Sequence, residues 1–99
     1  MEIEFGDDEI ALICTDRAHK LGLPIGVIKS ARRKLVLLHD APDERTLRNW
    51  KSLNYKMLKG DKKRRRSIRL NDQYRMVISV DGKKQPPVVT VLEIGDTHE

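Results

Sequence analysis

A chain of 99 residues has room for one core and little material for a second, so one domain over residues 1–99 is expected; aromatic residues at 4% leave that core to Leu, Ile and Val. The formal net charge is +5, but Met1–Asn49 holds 8 Lys/Arg against 9 Asp/Glu whereas Trp50–Glu99 holds 12 against 6, and Lys51–Arg75 carries 10 basic residues opposed only by Asp61 and Asp72. Such density suits a polyanion. With Cys14 alone, no internal disulfide or cysteine-built zinc cage is possible within one chain; an acidic start and no run near ~20 apolar residues point to a cytoplasmic protein without membrane attachment.

In chain order, Met1–Phe5 alternates Ile3 and Phe5 with Glu2 and Glu4, a short strand with one buried face. Asp7 or Asp8 then caps a helix to about Leu21, with Ile10, Ile13, Cys14, Ala18 and Leu21 near the helical period and Gly22 as its stop. Pro24 opens a second helix at its first turn; Ile25, Ile28, Ala31, Leu35 and Leu38 form its apolar stripe, and Asp40-Ala41-Pro42 ends it near His39. Asp43–Trp50 has length for one more turn.

Periodicity changes in the second half. Ser67–Leu70, Tyr74–Val80 and Val88–Ile94 read as an antiparallel meander, with Tyr55–Leu58 as an extended edge. The last strand is apolar on both faces and belongs inside the sheet. The expected class is α+β, two N-terminal helices packed on a curved antiparallel sheet.

The hairpin sets its own register. Ile68 and Leu70 share a face with Tyr74, Met76, Ile78 and Val80 only if the turn has an odd number of residues. A three-residue loop of Asn71, Asp72 and Gln73 places Leu70 opposite Tyr74, and therefore Arg69 opposite Arg75. Opposed cations destabilise a sheet by about 0.2–1 kcal/mol, so this pair wants a carboxylate or an outside anion such as phosphate. Two planar donor forks from adjacent strands suit one phosphodiester.

Leu58-Lys59-Gly60-Asp61, then Ser67-Ile68-Arg69-Leu70-Asn71-Asp72-Gln73-Tyr74-Arg75, and finally Leu92-Glu93-Ile94-Gly95-Asp96-Thr97-His98 resemble the HigB branch of the RelE-like toxins. That family reads approximately L-K-G-D-R, S-I-R-[IV]-N-D-Q-[WY]-R and V-E-I-x-D-Y-H. The likeness extends over about Ala31–His98. It implies cleavage of messenger RNA in the decoding site of the 70S ribosome, and a HigA-like helix-turn-helix antitoxin as partner. Neither metal nor small-molecule cofactor is implied. Two positions depart from the pattern: Lys56 stands where members commonly have a histidine, and Thr97 replaces the tyrosine of D-Y-H.

RNA is cut without metal when its own 2′-hydroxyl attacks the adjacent phosphorus, so the protein must align, deprotonate and neutralise. Lys59, Arg69 and Arg75 are the candidates for gripping phosphate and stabilising its extra charge, with Lys56 beside them. His98 titrates near neutrality without tuning and serves as acid or base, and Asp96, on the same side of an extended strand, orients its ring. Lys62, Lys63, Arg64, Arg65 and Arg66 supply salt-sensitive attraction to RNA. His19 and His39 read as surface residues, Tyr74 as core. Two alternatives stay open: a toxin of this fold without nuclease activity (a gyrase poison or a decayed site), and a non-enzymatic basic RNA-binding accessory protein.

Overall fold

The computed structural model describes residues 1–58, 60 and 65–96. Its alternating segments form strands β1 (Glu2–Phe5), β2 (Lys56–Met57), β3 (Arg66–Arg69), β4 (Arg75–Asp81) and β5 (Val88–Gly95) of a sheet ordered β1-β5-β4-β3-β2. The last four strands in that order are antiparallel neighbours. β5 lies between β1 and β4, as a strand apolar on both faces should. The pairing of β1 with β5 is parallel, contrary to the all-antiparallel sheet expected. Nearly the whole chain lies between these two strands, which gives it room for the crossover that parallel neighbours require.

The helical layer also differs from two N-terminal helices in succession, because it follows β1 and its first part is not an α-helix. Asp7 does cap, its Oδ1 accepting from the Ile10 amide at 2.7 Å, and Gly22 does stop, at φ 70°. Between them the chain forms two short 3-10 helices, Ile10–Cys14 and Ala18–Leu21. Thr15 is extended (φ −117°, ψ 171°), and its hydroxyl donates back to the Leu12 carbonyl at 2.8 Å. The Arg32 side chain donates to the carbonyls of Ile13 (2.8 Å) and Thr15 (2.7 Å), so these acceptors are committed to a neighbouring helix rather than to their own next turn. Ile13 and Ala18 are buried while Cys14 is exposed.

Helix α1 (Ile25–Asp40) has Pro24 at its N-cap rather than in its first turn, and buries Val27, Ile28, Ser30, Ala31, Leu35 and Leu38. Ile25, expected on that stripe, is 71% exposed. Asp43 caps α2 (Glu44–Asn49), its Oδ1 accepting from the Thr46 amide and hydroxyl at 3.0 and 3.1 Å. Those bonds hold the Asp43 carboxyl below its ordinary range.

Against one face of the sheet, Ile13, Val27, Leu38 and Leu47 of the helical layer meet fully buried Ile68, Met76, Ile78, Val89 and Val91. Burying one such side chain is worth about 1.5–3 kcal/mol, so this face sets the register for every other residue in the sheet. The Ser30 hydroxyl donates to the Leu70 carbonyl at 2.8 Å and pins α1 to the end of β3. Among the described residues no helix is long and apolar enough to cross a membrane.

The C-terminal end of α1 is closed by the first residue of the chain. The Met1 ammonium donates to the carbonyls of Leu38 (3.3 Å), His39 (2.8 Å) and Ala41 (2.6 Å), where the helix dipole presents its negative end. Extending the chain upstream of Met1 replaces this cation with a neutral amide. That change is expected to cost about 1 kcal/mol, or ~4–8 °C in Tm for a domain of this size; thermal unfolding of the chain with and without the upstream extension checks it.

Candidate nucleic-acid interface

The turn between β3 and β4 is built by one side chain. Asn71 Oδ1 accepts from the amides of Gln73 (2.8 Å) and Tyr74 (2.7 Å), while the Leu70 and Asn71 amides both donate to the Tyr74 carbonyl at 2.9 and 3.2 Å. Three residues are thereby closed into the loop, and the pairing Ile68↔Met76 and Arg69↔Arg75 follows as expected from the alternation.

Directly paired residues share a face, so the register identifies the side away from the helices. One row across it is Lys56, Ser67, Val77 and Glu93, and the next holds Arg69, Arg75 and Gly95. A bulge between Val77 and Ile78 restores this phase in β5 after Val91, which points to the core. Lys56, Arg69 and Arg75, three of the expected phosphate ligands, therefore lie on one face, on the neighbouring strands β2, β3 and β4.

The two arginines take separate partners. Arg75 is half-buried; its Nε donates to Ser67 Oγ at 3.0 Å and its Nη2 reaches across β3 to the Asn54 carbonyl at 2.8 Å. Asn54 sits in the left-handed region at φ 46°, just ahead of β2. Arg69 Nη2 pairs with Asp72 of the turn. With Asp72 94% exposed, that ion pair belongs to a class worth about 0–1 kcal/mol, a contact that a polyanion can displace. The like-charge opposition is thus relieved by a local carboxylate on one side and neutral oxygens on the other.

Asp96 is exposed and accepts from Gln73 Nε2 at 2.9 Å, joining the end of β5 to the turn. The Arg65 carbonyl accepts from the Leu58 amide at 3.0 Å. Lys59, Lys62, Lys63, Arg64 and His98 lie outside the described residues.

Arg66, expected to face RNA with its neighbours, is on the helix side of the sheet with Ile68. Its Nε donates to Glu44 Oε1 at 2.8 Å, and its side chain is 13% exposed. The same carboxylate oxygen accepts from the Tyr55 hydroxyl at 2.6 Å and lies 3.7 Å from Arg48 Nη2. This cluster ties α2 to β3 and to the residue between Asn54 and Lys56. Neither Glu44 nor Tyr55 was singled out from the sequence. The available signal was phase: an arginine two residues from Ile68 on a strand points inward and requires a carboxylate.

No family model and no curated sequence matches the chain. Among solved structures, one titled as a YoeB/ParE toxin from Agrobacterium tumefaciens is similar at TM-score 0.56 and 16% identity, over 99% of this chain and 100% of that one. At that identity the likeness establishes the fold: an α+β arrangement of a five-stranded sheet and helices shared with a toxin of that type.

Burial, and then the Glu44 carboxylate, raise the Tyr55 hydroxyl above its ordinary pKa of 10.0. The folded state keeps a proton that the unfolded chain releases, so this contribution is whole below pH 10.0 and is lost as pH climbs towards the raised value. Urea midpoints measured from about pH 9 to about pH 11 are expected to fall, and to fall less steeply in Tyr55→Phe.

Proposed function

We propose that this chain is the toxin of a toxin–antitoxin pair and acts as a HigB-type endoribonuclease on messenger RNA held in the ribosome. The observation that carries this reading is the opposition of Arg69 and Arg75 on a face shared with Lys56, in a fold like that of a YoeB/ParE toxin. Bulk positive charge requires no such pairing.

A single-stranded segment lies across the open face of the sheet with one phosphodiester at the two arginines. Arg75, already anchored at Nε and Nη2, donates from its remaining N–H groups with little loss of side-chain freedom. Arg69 exchanges exposed Asp72 for phosphate oxygen, and Lys56 and Lys59 add charge that counts most when the phosphorus becomes five-coordinate. The ribose 2′-oxygen bonds to phosphorus and the bond to the 5′-oxygen breaks, leaving a 2′,3′-cyclic phosphate and a 5′-hydroxyl. The 2′-hydroxyl loses its proton and the 5′-oxygen gains one; His98 takes part in that transfer, oriented by Asp96. Lys62, Lys63, Arg64 and Arg65 hold ribosomal RNA through charge. The partner in this reading is a HigA-like helix-turn-helix antitoxin.

A second reading, the same fold without nuclease activity, is favoured by Lys56 in place of a histidine and by protein partners on both arginines. Expression in growing bacteria separates the two, since the nuclease shortens transcripts at discrete sites and a gyrase poison inhibits supercoiling instead. Under the first reading, His98→Ala and Arg75→Ala each slow transcript cleavage about 100-fold or more without altering the circular dichroism of the folded chain. Undiminished cleavage in both variants overturns the site.

A further inference from the structure

The acidic end of the sheet carries an independent feature. Among the described residues β1 is a terminal strand, hydrogen-bonded through one side only. The Glu2 amide donates to the Pro87 carbonyl at 2.9 Å and the Gly6 amide to that of Val91 at 2.8 Å, which fixes the phase. Residues of even number direct both backbone groups to β5, and Ile3 and Phe5 direct theirs outward. Sheet edges are ordinarily blunted by shortness, a bulge, a proline, charged side chains or a charge pointing inward. Here the charges, exposed Glu2 and Glu4, occupy the open face alone.

On the helix face the same edge borders a groove of about 340 Å³, walled by Ile3 and Phe5 of β1 and by Leu35, Val36 and His39 of α1, with Cys14 and Arg32 beside them. Val36 is 59% exposed. An apolar slot next to a row of outward amide and carbonyl groups is what a pleated strand needs on its two sides.

We infer that the β1 edge binds an extended segment of a partner protein in which apolar residues alternate with Lys or Arg. The apolar side chains enter the groove, the basic ones lie beside Glu2 and Glu4, and the backbone completes the hydrogen bonds of Ile3 and Phe5. Charge selects this occupant over a second copy of the chain. Two β1 strands related by a two-fold axis would set Glu2 and Glu4 against their own copies, a like-charge pairing that disfavours the dimer. The inference stands apart from the RNA reading, because its residues lie on β1 and α1, whereas Lys56, Arg69 and Arg75 lie on β2, β3 and β4, with β5 between them and β1.

The probe is a seven-residue synthetic peptide alternating Lys and Val, with its Glu/Val counterpart as control, titrated into the whole chain and followed by backbone amide resonances and hydrogen exchange. The Lys/Val peptide is expected to bind at least about tenfold more tightly than the control, two favourable charge pairs replacing two unfavourable ones. Exchange at the Ile3 and Phe5 amides should slow. Methylating the probe's amides in one alternate set should abolish binding, while methylating the other set leaves it intact. Glu2→Lys/Glu4→Lys, altering only exposed positions, should invert the peptide preference. Equal binding of both peptides, shifts confined to residues away from β1, or no binding overturns the inference. So does a peptide-free dimer in which Ile3 and Phe5 are already protected, which would assign the edge to a second copy.

Discussion

One residue more or fewer between Leu70 and Tyr74 would turn β3 or β4 over. Ile68 and Leu70 would then face away from the helices, or Met76 and Ile78 would, and the arginine of the strand that turned would point into the core. Removing just two of these apolar side chains from their buried positions would cost several kcal/mol. The Asn71 carboxamide prevents that slip by accepting from both Gln73 and Tyr74, closing the loop at three residues. The register of β3 on β4, and with it the face on which both arginines stand, takes its phase from this turn.

That phase has a cost of its own in opposing Arg69 to Arg75. A like-charge pair on a sheet disfavours folding by at most about 1 kcal/mol, so the buried face wins and the arginines remain opposed. The surroundings offset part of the penalty asymmetrically. Arg69 is met by an exposed carboxylate in its own turn, a weak and local contact. Arg75 is met by Ser67 and by the carbonyl of Asn54 from beyond the neighbouring strand, so its guanidinium is held by tertiary structure. Two cations of the same strand pair thereby differ: one is set in place, the other has an exchangeable partner.

The hairpin and the burial of β5 were legible in the sequence because each follows from alternation over a few residues, with turn residues between. What escaped depends on partners far along the chain. No local feature of Ile10–Leu21 announces that Arg32 will take the carbonyls of Ile13 and Thr15, so the helical spacing of its apolar residues gave an α-helix where two 3-10 turns form. Ile25 matched a period counted from Ile28, yet the core lies on the side that Val27 shares with Ala31 and Leu38. Arg66 and Tyr55 reach Glu44 across 22 and 11 positions, beyond any motif. Even so, the inward phase of Arg66 was implicit in the register deduced for Ile68.

Charge in this molecule is divided across the strand order as well as along the chain. On the open face, Glu2 and Glu4 stand on β1 at one end, while Lys56, Arg69 and Arg75 gather on β2, β3 and β4. Two, three and four strand spacings separate β1 from β4, β3 and β2, about 10–19 Å across the sheet, at or beyond the screening length at physiological salt. Acidic and basic patches at those separations neutralise one another only in part, and each keeps much of its field for a ligand of opposite sign. A polyanion drawn to the basic end is repelled from the other, which orients it on the sheet. A basic strand on β1 would lie too far away to contact the arginines, so any influence on them must pass through the packed strands between, or through whatever else its partner chain carries across the face.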